Sequence, residues 1–301
     1  MDVTRTAALR IATLILAMGL GIAARAADTE IIWYTAMNTQ DAEPLRKRFE
    51  EKHPGVKITT LRQPGEKIRN RILTEVQAGR FFWDVVSFNH LDMDVLEREN
   101  LLGSAPVPIY LRNFVIGYNT QALAPGQAPK SWEELLLPKW KGRFAMDENE
   151  IEWYAAMLDY HGREKGQRFM RALAAQSPQF RRGHTLLSKL LSAGDFPLAL
   201  VHSSEMEEAK KAGAPVDWVR TTDPIVSSPS VMAISARAPH PAAARAFVDF
   251  VVSPEGQAIV ASKGRTPARG GEARVFLVKP QLAREFDKYE TEFHEIFLKS
   301  R

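Results

Sequence analysis

The fold class follows from residues 31–87, which read IIWYTAMNTQ DAEPLRKRFE EKHPGVKITT LRQPGEKIRN RILTEVQAGR FFWDVVS. Two short apolar runs in this stretch are typical of buried strands, and a third short segment alternates apolar and polar side chains as a strand does. These three segments alternate with two that repeat apolar side chains at helical spacing. Strands are predicted at 31–34, 56–58 and 84–87, and helices at 41–52 and 66–78. This order predicts βαβ units and a parallel sheet, and therefore an α/β fold.

Length and composition indicate a soluble globular protein. The 301 residues are enough for two lobes of about 100–150 residues each. Hydrophobic residues make up 45% and charged residues 25%, the balance of an ordinary folded chain. The absence of cysteine excludes disulfides, thiolate metal sites and cysteine nucleophiles. The net charge of +4 falls to +2 without residues 1–26 (37 basic against 35 acidic side chains), so we expect no nucleic-acid partner.

The N-terminus has the organisation of an export signal. Arg5 and Arg10 precede an apolar run at 11–22, and Ala24-Arg25-Ala26-Ala27 provides a small-residue cleavage site after Ala26. The alternative is a membrane anchor, but a helical run of this length spans only about 18 Å of a hydrocarbon core of about 30 Å. We therefore expect a signal peptide at 1–26 and a mature protein in the periplasm.

The remaining chain continues the alternation of helices and strands without a long linker. Helices are predicted at 151–160, 163–175, 185–193, 204–212, 241–252, 254–262 and after Pro280, with strands at 197–201 and 216–219. Lobes without a flexible tether are joined by crossing strands, which we place near 113–120 and 219–232. Lobe 1 is then expected to comprise 27–118 and 223–301, and lobe 2 to comprise 119–222.

Motifs of several enzyme classes are missing. The sequence has no G-x-S-x-G, no H-E-x-x-H and no P-loop. The one dense cluster of potential metal ligands is His90, Asp92 and Asp94, which would suit a metal-assisted hydrolase. Because this cluster runs into a helix-like stretch, acids that complement a helix N-terminus are the favoured interpretation. We expect a protein that is not an enzyme and needs no cofactor or bound metal.

Candidate ligand-binding residues follow from the rule that solutes bind beyond the carboxyl ends of strands in open α/β sheets. The residues that the rule selects there and in the return crossing are Tyr34, Thr35, Asn38, Thr39, Phe88, Asn89, Asp147, Glu148, Asn149, Glu152, Trp153, His202, Ser203, Ser204 and Ser228. They are hydroxyls, amides, carboxylates and aromatic rings without a nucleophile–base pair, which favours capture of a solute over turnover. Ser204 also fits the position of a helix cap.

Several sequence blocks resemble those of a known family. The blocks include Tyr34-Thr35, Pro54-Gly55-Val56-Lys57-Ile58, Trp83-Asp84-Val85-Val86, Tyr118-Asn119-Thr120, Pro138-Lys139-Trp140-Lys141-Gly142, Ser253-Pro254-Glu255-Gly256-Gln257 and Gly264-Arg265-Thr266-Pro267. Together they resemble the extracellular solute-binding proteins of ABC importers, in the group that includes ferric-iron-binding periplasmic proteins. The resemblance covers essentially the whole mature chain.

The resemblance implies a two-lobed periplasmic-binding-protein-like fold of type II. Mixed sheets flanked by helices would form the lobes, and two crossing strands would serve as the hinge. A monomer would close its cleft over one small polar or charged solute and deliver it to an ABC permease, that is, to transmembrane subunits with their ATPase. A sensor that binds a solute but signals to a receptor is an alternative with the same cleft.

The positions that match the iron ligands of the family differ in this chain. Ser204-Glu205 occupies the position at which iron-binding relatives have adjacent tyrosines. Asn38 occupies the position of their histidine, and Asn89 that of their carboxylate. Ferric iron prefers anionic oxygen ligands, so these changes favour an organic solute. A ferric-iron-binding transport protein that lacks the tyrosine pair stays as the alternative.

Two further departures bear on the ligand. Residues 147–150 carry Asp, Glu, Asn and Glu where many relatives hold an anion with a serine- and glycine-rich turn, which favours a cationic or polyol solute. The segment at 103–110 is shorter than in relatives, which implies a trimmed loop or an altered cleft rim.

Overall fold

The structure is a computed structural model that describes residues 29–124, 126–220, 223–268 and 275–299. The expected signal peptide at 1–26 lies outside these residues. The strands are β1 (Thr29–Thr35), β2 (Val56–Arg62), β3 (Val85–Asn89), β4 (Val107–Asn119), β5 (Phe144–Asp147), β6 (Gln179–Arg181), β7 (Leu198–His202), β8 (Val216–Trp218), β9 (Ile225–Ile234), β10 (Thr266–Pro267) and β11 (Val275–Leu277).

Helices cover both faces of the strands. They are α1 (Thr39–Lys52), α2 (Gly65–Gln77), α3 (His90–Arg98), α4 (Ile151–His161), α5 (Arg163–Ala175), α6 (His184–Ala193), α7 (Ser203–Lys211), α8 (Pro241–Val252), α9 (Pro254–Ser262) and α10 (Phe286–Phe297). Short 3₁₀ helices lie at Glu133–Leu136, Pro138–Trp140 and Pro280–Glu285. None of the helices in the described ranges is long and apolar enough to cross a membrane.

The first half of the sheet is parallel, as the sequence predicts. β1 pairs in parallel with β2 on one side and with β3 on the other. Successive side chains of β1 enter two different cores, because side chains alternate between the faces of a strand. Trp33 packs with α1 and α8 on one face, and Tyr34 packs with α2 and α3 on the other. The predicted βαβ units are confirmed.

The second half of the sheet has the same construction. β5 pairs in parallel with both β6 and β7. One core contains Trp153 of α4 and Phe169 of α5, and the opposite core contains Leu187 of α6 and Met206 of α7. β6 is a strand that the sequence pattern does not predict, since it is only three residues long.

Two long antiparallel strands join the halves. β4 pairs with β9 over residues 107–114 and with β7 over residues 114–118. β9 in turn pairs with β3 through its last five residues. The sheet order is therefore β2-β1-β3-β9-β4-β7-β5-β6, with both crossing strands in the middle. The predicted α/β fold with two crossing strands is confirmed.

The C-terminal segment contacts helices from both parts of the chain, and its assignment to lobe 1, with 223–301, stays a prediction. α10 contacts α4 and α5, and Phe293 and Phe297 lie in the same apolar core as Trp153. The 3₁₀ helix at Pro280–Glu285 contacts α3 instead. The apolar stripe of α10 therefore faces α4 and α5, while the 3₁₀ helix before it faces α3.

Candidate functional site: a polar cleft between the halves

A solvent-connected cavity of about 360 Å³ lies between the two halves. One wall is formed by the starts of α2 and α3, and the opposite wall by the end of β5 and the starts of α4 and α6. Side chains of β4 and β9 form the floor, and the first turn of α10 borders the cavity. The cavity thus lies where the carboxyl ends of parallel strands meet helix starts, the place where open α/β sheets bind ligands.

The wall of the first half is held by a cluster around Asp92. Asn89 caps α3, because its Oδ1 accepts a hydrogen bond from the Asp92 N–H at 2.8 Å. Asn89 Nδ2 and Arg69 Nη1 donate to the two carboxylate oxygens of Asp92, at 2.6 and 2.7 Å. Gly65 packs against this cluster so closely that a Cβ there would lie 2.7 Å from Asp92 Oδ2. Burial raises the pKa of Asp92, although Arg69 and Asn89 oppose the shift.

The floor is built around Arg112 of β4. Its Nη2 donates to Glu152 Oε2 at 2.6 Å and to Ser228 Oγ at 2.8 Å, so it links the start of α4 to β9. Arg112 Nε and Glu152 Oε1 are buried and form no hydrogen bond within the described part of the chain. Tyr110 and Phe114 of β4 place aromatic rings on either side of this arginine along the floor.

The wall of the second half is acidic. Asp147 accepts hydrogen bonds from the Asn149 and Gly183 N–H groups, at 3.1 and 3.0 Å. Glu150 is only 2% exposed, and its Oε2 lies 3.4 Å from His184 Nε2 without forming a hydrogen bond. Burial raises the pKa of Glu150, although His184 opposes the shift. Burial disfavours the protonated ring of His184, but Glu150, Asp147 and Glu205 outweigh it and raise the pKa of His184 to about 9.

A buried row of polar groups leads away from His184. The rings of His184 and His202 are in contact at a tilt of 35°, with their centroids 3.9 Å apart, and His202 Nδ1 lies 3.4 Å from Glu205 Oε2. Burial and the positive charge of His184 lower the pKa of His202 to about 3, although Glu205 opposes both. Burial disfavours the Glu205 carboxylate, but His202, Arg265 and His184 outweigh it and hold the pKa of Glu205 well below its ordinary value.

The row ends at Arg265, which bridges the halves. Its Nε and Nη2 donate to Asp41 Oδ2 of α1 at 3.0 and 2.7 Å, and its Nη1 donates to Ser204 Oγ of α7 at 2.6 Å. Arg265 and Asp41 are 7% and 6% exposed. The interpretation of Ser204 as a helix cap is wrong, because α7 begins one residue earlier and the Ser204 hydroxyl is taken by Arg265 and Glu205.

The structure distributes the predicted site residues over five environments. Phe88, Asn89, Asp147, Asn149 and Glu152 line the cleft, and Ser228 lies in the floor beside Arg112. His202, Ser203 and Ser204 are buried at the start of α7, and Asn38 and Thr39 line a second groove on the other side of Glu205. Tyr34, Thr35 and Trp153 lie in the interior rather than on the cleft, and Glu148 pairs with the exposed Arg182 outside it.

Tyr34, Thr35 and Trp153 lie away from the cleft because their side chains find partners in the interior. The hydroxyl groups of the first two form hydrogen bonds there, and the Trp153 ring is packed against other rings. The Tyr34 hydroxyl donates to Glu75 Oε1 at 3.0 Å. The Thr35 hydroxyl lies 2.6 Å from Ser87 Oγ and also accepts from the Met37 N–H. The fully buried Trp153 ring packs edge-on against Trp132, with centroids 5.0 Å apart.

The candidate metal ligands His90, Asp92 and Asp94 do not form a metal-binding group in the described part of the chain. Asp92 is bonded to Arg69 and Asn89, and Asp94 pairs with Arg98 at 2.7 Å. Among the described residues, no group of three or more histidine, aspartate or glutamate side chains could hold a metal ion. The structure therefore offers no support for a metal-assisted hydrolase built on His90, Asp92 and Asp94.

The predicted site residues do not include three charged residues that line the cleft, Arg69, Arg112 and His184, or Arg265 at the end of the buried row. None lies directly after a predicted strand, so the rule for strand ends does not select them. Arg112 could be selected from the sequence, because an arginine within an apolar strand is rarely buried without a partner. The predicted site residues also do not include Phe286, Asp287 and Glu290 near the start of α10, which border the cleft.

The fold and the cleft define a class of two-lobed proteins that hold a solute between their halves. Residues 31–266 match the family model described as bacterial extracellular solute-binding protein. The chain belongs to that family, whose members are the solute-binding components of transporters.

Individual relatives are more distant. A stretch of 167 residues is 25% identical to the Fe(3+)-binding periplasmic protein of Serratia marcescens, over 51% of this chain and 48% of that protein. The chain thus spans about half the length of this relative. Iron-bound HitA of Pseudomonas aeruginosa is similar in structure (TM-score 0.79, 20% identity, 90% of this chain and 100% of HitA). AfuA of Actinobacillus pleuropneumoniae, with fructose-6-phosphate bound, is also similar (TM-score 0.76, 17% identity, 90% and 99% covered).

Proposed function

We propose that this protein captures a small polar organic solute in the cleft and closes around it by hinge motion about β4 and β9. The observation that carries the proposal is the cavity itself, whose polar lining comes from both halves while the two crossing strands form its floor. A solute that contacts both walls binds the closed form more tightly than the open form, and this difference shifts the population.

The shift requires an amount of binding energy that such a lining can supply. Moving a two-state equilibrium from 1:99 to 99:1 takes about 5.5 kcal/mol of differential affinity. Two to four charge-assisted hydrogen bonds at about 1.5–3 kcal/mol each provide it. Asn89 and Asp92 on one wall and Asp147 and Glu150 on the other are the groups that we assign to these contacts.

Export and delivery complete the proposed function. The charged and apolar pattern of 1–26 supports cleavage after Ala26 and release into the periplasm. Membership of the solute-binding family supports delivery of the closed complex to an ABC permease rather than catalysis. We propose that the protein acts as a monomer.

Ferric iron is the second candidate, because the Serratia relative and HitA are described as iron-binding proteins. Two features argue against it here. Ser204 and Glu205 are engaged with the guanidinium of Arg265, and Asn38 accepts a hydrogen bond from Arg62 at 3.2 Å. A positive guanidinium beside these groups repels a trivalent cation, so we favour the organic solute.

Fluorescence energy transfer tests closure directly, because the chain has no cysteine of its own. Lys67→Cys on α2 and Glu164→Cys on α5 place one dye on each half, at exposed positions away from the cleft. We expect transfer to increase with at least one member of a panel of amines, polyols, carboxylates, sugar phosphates and ferric citrate. A control pair in the first half, Lys47→Cys with Lys67→Cys, should not respond. No response of the cross-cleft pair to any solute would contradict the proposal.

A further inference from the structure

The charges around the cleft do not balance. Seven carboxylates line the cavity against two guanidinium groups and one imidazolium. Helix starts at the cavity offset part of this excess, since each contributes about half a positive charge. The carboxylates still outnumber the positive groups, so the cavity is a region of negative potential.

Both arginines are already neutralised by carboxylates. Arg69 is bonded to Asp92 and Arg112 to Glu152, at 2.7 and 2.6 Å. An anionic solute would have to compete with these carboxylates at short range and in a partly buried place. The remaining cation, His184, faces two carboxylates at once, Glu150 at 3.4 Å and Asp147 at 3.9 Å.

Glu150 has His184 as its only ion-pair partner among the described residues. Its side chain is 2% exposed, it lines the cavity, and its buried Oε2 forms no hydrogen bond with any described residue. A buried carboxylate oxygen without a donor is costly, and an N–H group of a bound solute would remove that cost. Burial raises the pKa of Glu150 even though the His184 imidazolium opposes the shift, so this one partner compensates the carboxylate only in part.

Aromatic side chains also line the cavity, and they can contact the hydrocarbon part of a solute. Phe88, Phe114 and Tyr110 line it beside the charged groups, and Phe286 of α10 does so from the rim. Aromatic faces attract ammonium and guanidinium groups and also pack against short alkyl chains. Three further carboxylates, those of Glu66, Asp287 and Glu290, have no ion pair in the described ranges and lie at the same opening.

We infer that the solute is a small organic cation, an alkyl ammonium or guanidinium compound, whose positive end is bound by Glu150 and Asp147. This inference rests on the proposed function, since it names the class of solute for the same cleft. It distinguishes the chain from the AfuA structure, which holds a sugar phosphate, and from iron-bound HitA.

Calorimetry with compounds of equal chain length tests the charge class. Putrescine, agmatine, butanediol and succinate share a four-carbon chain and differ in their end groups. We expect putrescine or agmatine to bind, and to increase energy transfer in the cross-cleft dye pair, while succinate does neither. Because the attraction is electrostatic, the affinity should fall as salt is added.

Glu150→Gln is the decisive variant. It should weaken binding of the amine about ten- to a hundredfold, the equivalent of one charge-assisted hydrogen bond, and should not weaken binding of succinate, because it removes a carboxylate that repels an anion. Glu164→Gln, in the first turn of α5 and 92% exposed, is the matched control and should change neither. If Glu150→Gln does not fold, Glu290→Gln at the rim is expected to weaken the amine severalfold.

The outcomes separate the two proposals. Binding of succinate, butanediol or ferric citrate with closure, but not of an amine, would overturn the inference and leave the proposed function intact. Amine binding that Glu150→Gln does not change would also overturn it. Absence of binding and closure with every compound would contradict the proposed function itself.

Discussion

Replacing Arg265 by methionine is expected to lower the free energy of unfolding by about 3–5 kcal/mol. The guanidinium donates three hydrogen bonds, two to Asp41 and one to Ser204, and all three groups are at least nine-tenths buried. Methionine keeps much of the volume and can still pack near the Tyr110 ring, which the guanidinium faces at 5.4 Å. The loss is therefore chiefly that of the positive charge.

The lower end of this range is the better expectation, because Asp41 would keep some compensation. It lies in the first turn of α1, where free N–H groups and the helix dipole stabilise a carboxylate by about 0.3–1 kcal/mol. At about 3 kcal/mol, and with 2–4 °C per kcal/mol for domains of a few hundred residues, the melting temperature should fall by roughly 6–12 °C. Because Arg265 links α1 to α7, the variant should also show lower energy transfer in the cross-cleft dye pair without solute.

Calorimetric melting and urea denaturation at neutral pH measure the effect. Arg48→Met is the matched control, since Arg48 also pairs with a carboxylate, Glu255, but both side chains are exposed and solvent screens them. The double variant Arg265→Met, Asp41→Asn should lose clearly less than the sum of the single variants, because removing both partners leaves no unpaired charge at that contact. An Arg265→Met loss no larger than that of Arg48→Met, or strict additivity in the double variant, would refute the reasoning.

Three further predictions concern pH, packing and placement. Stability should fall as pH drops from about 6.5 towards 3, because His202 is held neutral in the fold, and as pH rises from about 6.5 through about 9, because His184 keeps its proton in the fold until that pH. Urea midpoints across pH should show both limbs. His202→Asn should reduce the acid limb without abolishing it, because the depressed pKa of Glu205 also costs stability in acid. Gly65→Ala should weaken solute binding severalfold in calorimetry, because the new Cβ would displace Asp92, and unchanged affinity would contradict the assigned wall. Tyr34→Phe should cost about 1 kcal/mol of stability in the same urea assay but leave solute affinity unchanged, since its hydroxyl is bonded in the interior.

Elements with a strong local pattern could be predicted from the sequence, and elements that depend on a distant partner could not. β1 and β3 each contain a run of buried apolar residues, and α1 repeats its buried side chains at helical spacing, so each can be recognised from its own sequence. β6 has three half-buried residues and becomes a strand only by pairing with β5. The predicted helix after Pro280 begins with a 3₁₀ helix at Pro280–Glu285, which contacts α3. The apolar spacing of the sequence does not distinguish this segment from the α-helix that follows.

The same distinction applies to the site. Asn89 and Asp147 each end a parallel strand, so the rule for strand ends finds them. Arg112 reaches Glu152 and Ser228, and Arg265 reaches Asp41 from 224 positions away in the chain. No local pattern carries such a pairing. The charge balance of the cleft, on which the inferred solute class depends, therefore required the structure.

Native mass spectrometry of the protein purified from its own host tests the central claim most directly. The account predicts a single adduct with the mass of a small organic amine or guanidine, present in the wild-type protein and lost or strongly reduced in Glu150→Gln. An iron adduct, an anionic adduct that Glu150→Gln retains, or a wild-type protein that carries no adduct and takes up no amine from solution would contradict it.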